Sequence, residues 1–352
     1  MKPLHNTSDT IHGTNLITGA LGFVGTHLAR SLLAAGQPVV GMGRHLPGDP
    51  PPDRVGEFRL TGESGDLPGA LGYEGESGRF LYLPLALEEP GPVADLLATL
   101  KPATVYHLAA QSSARVSFTD PQDTFTSNVM GTLNLLEAVK GLPDGQRPVM
   151  VNVGSCEEYG PQDGATEPLT EDSPLNPLSP YAVSKVTQTL LCRQYARSWN
   201  LPVVMVRSFS HTGPGQDTRF AFPSFAQQVA RAEAGLESPE IATGDLSAVR
   251  DFLDVRDVVE AYRLVALKGR AGEIYNVCSG VPLTIEAGLN ILLSGSTRPL
   301  STRIDPDRCR PSDTPHLVGD ATRLRGETGW APRHDFKNTL GELLEAARKE
   351  LA

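Results

Sequence analysis

The chain has 352 residues, 39% hydrophobic and 20% charged, enough for two globular domains or one large one with an elaborated end. Its formal net charge of -10 argues against broad binding to nucleic acid or anionic membranes. No apolar run approaches the roughly 20 residues that span a bilayer, and eight scattered histidines form no HxxxH pattern, so no metal is expected.

In chain order, "NLITGALGFVGTHLARSLLAAG" reads as a strand, a Gly-rich turn and an amphipathic helix. "QPVVGMGR" is a second strand. Residues 47–79 are so rich in Gly and Pro that they read as an extended surface insertion with no lasting regular element. "RFLYLPLAL" is a third strand. "PVADLLATLKPATVYHLAAQ" is a helix followed by a fourth strand. "DTFTSNVMGTLNLLEAVK" has helical spacing, "RPVMVNVGS" is a fifth strand, and "SPYAVSKVTQTLLCRQYARSWN" is a long helix before a sixth strand, "LPVVMVRSFS". Short apolar strands alternating with helices predict a parallel sheet covered on both faces.

The alternation breaks after about residue 207. A loop and helix follow, then a strand and helix in "IATGDLSAVRDFLDVRDVVEAYRLVALKG", one more core strand in "GEIYNVCSG", and an Arg-rich then helical tail. The fold expected is α/β: a doubly wound parallel sheet with a smaller C-terminal α/β domain. Residues 1–206 with about 252–276 form the first domain, and about 207–251 with 277–352 the second.

The start, "MKPLHNTSDTIHGTN", lacks the apolar core of a signal peptide. Cys156, Cys192, Cys278 and Cys309 include no CxxC pair, so a reducing, cytoplasmic setting is the expectation.

Gly19, Gly22 and Gly25 make the pattern TGxxGxxG around Phe23 and Val24. Glycine allows a tight turn and close approach to a pyrophosphate, and the next helix aims its positive end at the phosphates. Three glycines in a chain with 35 could be an ordinary turn; the strand before and helix after favour a dinucleotide. At the end of the second strand, "GMGR" has no carboxylate to hold a ribose 2′-hydroxyl, and Arg44 could pair with a 2′-phosphate. NADP(H) is therefore favoured, with NAD(H) possible.

Tyr181 and Lys185 are four apart at the start of a helix and share one face. A lysine cation near a phenol favours the phenolate and prepares it for acid/base work. Ser155 ends the fifth strand, and ligands in such sheets sit at the carboxyl ends of strands. The glycine turn, the strand-end Ser and the YxxxK helix occur in this order.

With "TGALGFVG", "HLAAQSS", "NVMGTLNLLEA", "GSCEEYG", "SPYAVSK", "HTGPGQ", "VRDFLDVRDVVEAY" and "RPSDTPHLVGD", the chain resembles the extended short-chain dehydrogenases/reductases that act on nucleotide sugars. Through "AQSSARVSF", "HTGPGQ" and "RDFLDVRDVV" it most resembles the GDP-4-keto-6-deoxy-mannose reductases. The resemblance implies a Rossmann fold. Tyr181 would be the proton donor to the C4 oxygen, Lys185 its electrostatic helper and Ser155 a second hydrogen-bond partner. Leu108, Ala109 and Ala110 would line the cofactor path, and Gln111 and Ser112 would face the sugar. Ser210 and Arg219 would lie on the substrate side, Arg250 and Arg310 would hold the diphosphate, and Asp313 the nucleoside ribose. Family members pair through two long helices, which implies a homodimer with a four-helix interface.

The chain departs from the family pattern at three places. Ser210 stands where the family has Asn, Ala86 where an Asp meets the adenine, and the 47–79 insertion is unusual. A sugar 4,6-dehydratase also needs a base near C5 and help for the departing hydroxyl. Glu157 keeps the base slot, while Cys156 is a weak donor there. Glu157 and Glu158 could equally serve the following turn. The leading expectation is reduction of a GDP-linked 4-keto-6-deoxy hexose. The alternatives are a nucleotide-sugar 4,6-dehydratase or 4-epimerase, and a non-catalytic NADP-binding regulator.

Overall fold

The computed structural model describes residues 13–44, 52–65, 67–162, 167–308 and 314–351. The N-terminal strands are β1 (Asn15–Thr18), β2 (Val39–Gly43), β3 (Arg54–Val55), β4 (Phe58–Glu63), β5 (Leu71–Gly75), β6 (Gly78–Pro84), β7 (Thr104–His107), β8 (Val149–Ser155) and β9 (Val203–Ser208). The helices among them are α1 (Phe23–Ala34), α2 (Pro90–Leu100), α3 (Ala114–Thr119), α4 (Pro121–Phe125), α5 (Gly131–Gly141) and α6 (Pro180–Trp199).

Beyond these come β10 (Ser210–Thr212), α7 (Ala221–Glu233), β11 (Glu240–Thr243), β12 (Val249–Asp254), α8 (Val255–Lys268), β13 (Ile274–Val277) and β14 (Pro282–Thr284). The chain continues through α9 (Ile285–Ser294), β15 (Ser301–Ile304), β16 (His316–Leu317), α10 (Thr322–Thr328) and α11 (Phe336–Leu351).

The main sheet runs β13-β9-β8-β7-β1-β2-β6-β5-β4-β3. From β13 to β6 every pairing is parallel. The order β6-β2-β1-β7-β8-β9 is that of a doubly wound dinucleotide fold, with its reversal between β1 and β7. Every residue of β1, β7, β9 and β13 is buried, as expected of strands covered on both faces. Alternation sorts the side chains. Ile17 faces Leu28, Leu32, Val258 and Tyr262 of α1 and α8. Its neighbour Leu16 joins Leu97, Leu135, Leu136 and Cys192 of α2, α5 and α6. Fully burying each such side chain contributes roughly 1.5–3 kcal/mol.

Residues 47–79 correct the sequence reading. They carry β3, β4 and β5, which add to β6 as antiparallel strands and extend the main sheet. Gly56, Gly69 and Gly78 sit at corners with positive φ, while burial alternates along β4 from Phe58 onward. Phe80 packs against Phe58 at 5.0 Å and Tyr73 at 5.4 Å. Composition concealed this period-two pattern. The run "DTFTSNVMGTLNLLEAVK" also differs from a single regular helix. α4 and α5 are joined by a π-helical turn, Thr126–Met130, of a kind frequent at functional sites.

The C-terminal strands form two smaller sheets: β10-β12-β14 with β16 on β12, and β11 with β15. A third apolar cluster, including Phe222, Phe225, Leu289, Leu292, Leu340 and Leu343, joins α7, α9 and α11. Leu317, Leu324 and Trp330 pack instead into the cluster under α1 and α8. Among the described residues, no helix is long and apolar enough to cross a membrane.

Candidate active site

The glycine turn after β1 is dictated by close packing. Gly19 has φ +73°, and a Cβ there would lie 3.0 Å from the Ala109 backbone. A Cβ on Gly25 would stand 2.3 Å from the Gly19 carbonyl oxygen, and one on Gly22 3.2 Å from it. The turn therefore presses against the segment leaving β7. There Ala109 N donates to Thr18 Oγ1 at 3.0 Å, and the same hydroxyl meets His107 Nδ1 at 2.9 Å.

α1 has twelve residues, no side-chain cap and no acidic residue in its first turn. Its first N–H groups, beginning with Phe23 and Val24, are thus left for an anion. The turn and the helix end fit a dinucleotide diphosphate. Phe23 stacks on His211 with centroids 6.3 Å apart, which brings the β10 segment beside the turn.

α6 begins at Pro180, capped by Ser179 Oγ, which accepts from Ala182 N at 3.0 Å. That start sets Tyr181 and Lys185, both buried, against the end of β8. Lys185 Nζ donates to the Val153 carbonyl at 2.9 Å and lies 5.9 Å from the Tyr181 ring centroid. Ser155 stands near enough to Tyr181 for its side chain to favour the phenolate, and its own Oγ accepts from Glu157 N at 3.2 Å. Burial lowers the Lys185 ammonium to about 8, with the Glu158 charge acting against it.

Tyr181 departs from the expectation of an easily formed phenolate. Burial first, and then the negative charge of Glu157, push the phenol up, against the influence of Ser155. In the protein alone Tyr181 is a protonated donor.

The three residues after Ser155 separate in role. Burial pushes the Cys156 thiol far up, and Glu157 adds to the effect. Glu157 is half-buried. Glu158 is fully buried and structural: Oε1 accepts from Ser155 N at 3.0 Å, both its oxygens from Thr189 Oγ1, and Oε2 from Arg207 Nε at 2.9 Å. Burial raises its carboxyl, opposed by the Arg207 guanidinium. Arg207 also donates to Tyr159 Oη at 3.0 Å and the Glu171 carbonyl at 3.1 Å. Sequence reading missed Arg207. The signal was a charged residue inside the otherwise apolar run "VVMVRSF".

The other expected residues are placed as follows. Leu108, Ala109 and Ala110 are half-buried beside the glycine turn. Gln111 turns its amide into its own loop, donating to Ser113 O at 2.9 Å and Thr124 Oγ1 at 3.1 Å, and Ser112 is exposed. Asn128, in the π turn, holds the Gln111 backbone at both its N–H (2.7 Å) and carbonyl (3.1 Å), and reaches Ser184 Oγ at 2.9 Å. It is a positioning group that the sequence reading did not single out.

Arg44 is paired with Asp123. Ser210 is half-buried at the start of β10. Arg219 is exposed and ion-pairs with Asp217 at 3.3 Å. Arg250, on β12, is close enough for its charge to favour ionisation of the Cys156 thiol. Arg310 and Asp313 lie outside the described residues. Among the described residues, no group of three or more His, Cys, Asp and Glu could hold a metal ion.

A doubly wound sheet, a glycine turn at its reversal point and a Ser-Tyr-Lys set at the next strand end define a short-chain dehydrogenase/reductase in its extended form. Residues 16–343 match the family model described as GDP-mannose 4,6 dehydratase, and the chain belongs to that family. It is similar to the GDP-6-deoxy-D-mannose reductase of Pseudomonas aeruginosa, 37% identical over 258 residues, which cover 73% of this chain and 84% of that one.

Among solved structures it is similar to RMD from Pseudomonas aeruginosa complexed with NADPH. The TM-score is 0.77 and the identity 32%, over 96% of this chain and 99% of that one. The Thermus thermophilus UDP-glucose 4-epimerase in complex with NAD matches with TM-score 0.77 and 27% identity, over 95% and 99% of the two chains.

Proposed function

We propose that this chain reduces the C4 ketone of a GDP-linked 4-keto-6-deoxy hexose, giving a GDP-D-rhamnose-type product, with NADPH preferred and NADH possible. The observation that carries the reading is the buried Tyr181 with Lys185 beside its ring on α6, set against Ser155 at the end of β8. The likeness to a GDP-6-deoxy-D-mannose reductase supports it.

When bound, the reduced nicotinamide supplies the hydride. Gly19, Gly22, Phe23, Val24 and Gly25 hold the diphosphate, Arg44 the adenosine ribose edge, and Leu108, Ala109 and Ala110 the path to the ring. Tyr181 Oη donates its proton to the C4 oxygen, and Ser155 Oγ gives that oxygen a second hydrogen bond. The Lys185 charge then stabilises the phenolate left behind. On the substrate side, Arg250 and Arg310 hold the two phosphates, Asp313 the nucleoside ribose, and Gln111, Ser112, Ser210 and Arg219 frame the sugar. The division into a cofactor domain and a smaller sugar domain belongs to the same reading, supported by the separate α7–α9–α11 cluster.

A second reading, a nucleotide-sugar 4,6-dehydratase, is favoured by the retained Glu157. The neutral, buried Cys156 opposes it, since it offers no effective acid to a departing hydroxyl. Incubation with a GDP-4-keto-6-deoxy hexose and NADPH separates the two. Reduction consumes the nicotinamide absorbance, and unchanged absorbance removes the reductase. Release of a 4-keto product from GDP-mannose without added cofactor would establish dehydration instead.

A homodimer accompanies the proposal. Phe125, Met130, Val183 and Leu190 are exposed apolar residues on the α4–α5 and α6 segments, suited to a four-helix interface. Sedimentation as a monomer at micromolar concentration would reject it. Buried, unpaired Cys156, Cys192 and Cys278 suit the cytoplasm.

A further inference from the structure

Four side chains from three separate segments meet beyond the end of β2. Arg44 Nη1 donates to Asp123 Oδ1 at 2.7 Å and to Ser127 Oγ at 3.2 Å. Arg44 Nη2 reaches Asp123 Oδ2 at 3.4 Å. Glu88 Oε1 lies 3.8 Å from Arg44 Nη1 and accepts from Ser127 Oγ at 3.0 Å. The group therefore holds one cation and two carboxylates, and its sum is negative.

The strand itself contributes no side chain at its end. Gly43 closes β2, and a Cβ there would stand 3.0 Å from the Tyr82 hydroxyl, which donates to the Gly43 carbonyl at 3.0 Å. Among the described residues, the charge beside Arg44 at this edge comes from Asp123 and Glu88, with Asp120 adding to it.

In a doubly wound fold this edge receives the adenosine ribose. A 2′-phosphate there carries close to two negative charges. It gains the Arg44 fork but must draw the guanidinium from Asp123 and face that carboxylate at short range. A ribose with a free 2′-hydroxyl meets no such repulsion and finds carboxylate acceptors.

We infer that Asp123 is a specificity-determining residue: by holding Arg44, it restrains the preference for the 2′-phosphorylated cofactor and keeps the unphosphorylated one usable. This rests on the dinucleotide reading of the glycine turn. Like charges a few ångströms apart at a solvent-exposed site change affinity by about threefold to tenfold, and salt screens the effect.

The test is titration of NADPH and NADH, by nicotinamide fluorescence or calorimetry, into the wild type, Asp123→Asn and Arg44→Ala. Asp123→Asn is expected to raise the ratio of NADPH to NADH affinity by about threefold to tenfold, less at about 0.5 M salt. Arg44→Ala is expected to weaken NADPH and spare NADH. An unchanged or reduced ratio in Asp123→Asn, or NADPH binding indifferent to Arg44→Ala, overturns the inference while leaving the cofactor reading standing. A wild-type chain that binds neither cofactor overturns both.

Discussion

Glu158 and Arg207 form a fully buried ion pair, Nε to Oε2 at 2.9 Å, directly behind the Ser155 turn. The pair joins the end of β8, the middle of α6 through Thr189, and β9. Removing one partner leaves the other charged and dry. Glu158→Leu is expected to cost about 3–5 kcal/mol of unfolding free energy. Adding Arg207→Met should return a large part of it. Urea unfolding of the two variants checks this, and a single-variant loss below about 1 kcal/mol would be that of an exposed pair.

Lys185 gives a pH dependence with a definite sign. Its ammonium is depressed to about 8 in the folded chain from an ordinary 10.5. Between those values the unfolded chain holds a proton that the folded chain lacks, so stability rises with pH across the window. Below about pH 8 the whole cost of burying the charge is present. Lys185→Met should therefore stabilise the cofactor-free protein at pH 7 by roughly 1–3 kcal/mol. The gain should close as pH approaches the ordinary lysine value. Thermal unfolding of both proteins across this range measures it.

Activity should respond in the opposite sense. Since Tyr181 stays protonated well beyond its ordinary range, the alkaline limb of kcat/KM belongs to loss of the Lys185 charge and should begin near pH 8. A limb centred near the ordinary phenol value of about 10 would assign it to Tyr181 instead.

Tyr181→Phe keeps the ring in its buried slot and removes only the proton donor. Its kcat should fall by about 10²- to 10⁴-fold with cofactor affinity little changed. Ser155→Ala removes one of the two groups on the C4 oxygen and should cost less. A Tyr181→Phe protein with near-normal turnover would place the acid elsewhere.

Gly160 follows the same turn at φ +59°, and a Cβ there would sit 1.7 Å from the Asn176 carbonyl oxygen. Neither backbone can yield, because Asn176 N also donates to Tyr159 O at 2.9 Å. Gly160→Ala should destabilise by about 3 kcal/mol or more, read in the same urea assay.

The parts legible in the sequence are those set by short spacings. The glycine turn lies within one strand–turn–helix unit, and Tyr181 and Lys185 are one helical turn apart. What escaped depends on distant partners. Arg44 was visible, but Asp123, which holds it, is 79 residues away. Glu157 and Glu158 could not be told apart, since a single 3-10 turn directs one inward to Arg207 and leaves the other half-buried. The β3–β5 strands were hidden because glycine and proline content masked the short inward–outward alternation of β4 and the single aromatics, Phe58 and Tyr73, that anchor β4 and β5.

Those added strands also change how the sheet ends. Without them β6 would present an open row of N–H and C=O groups, a template for another chain's strand. Instead the sheet tapers through a bulge at Leu60/Gly62 to a two-residue strand, where Arg54 is exposed and donates to the Gly56 carbonyl at 2.9 Å. An edge so short and charged is poor at recruiting neighbours, so the meander should guard the protein against strand-to-strand aggregation at high concentration.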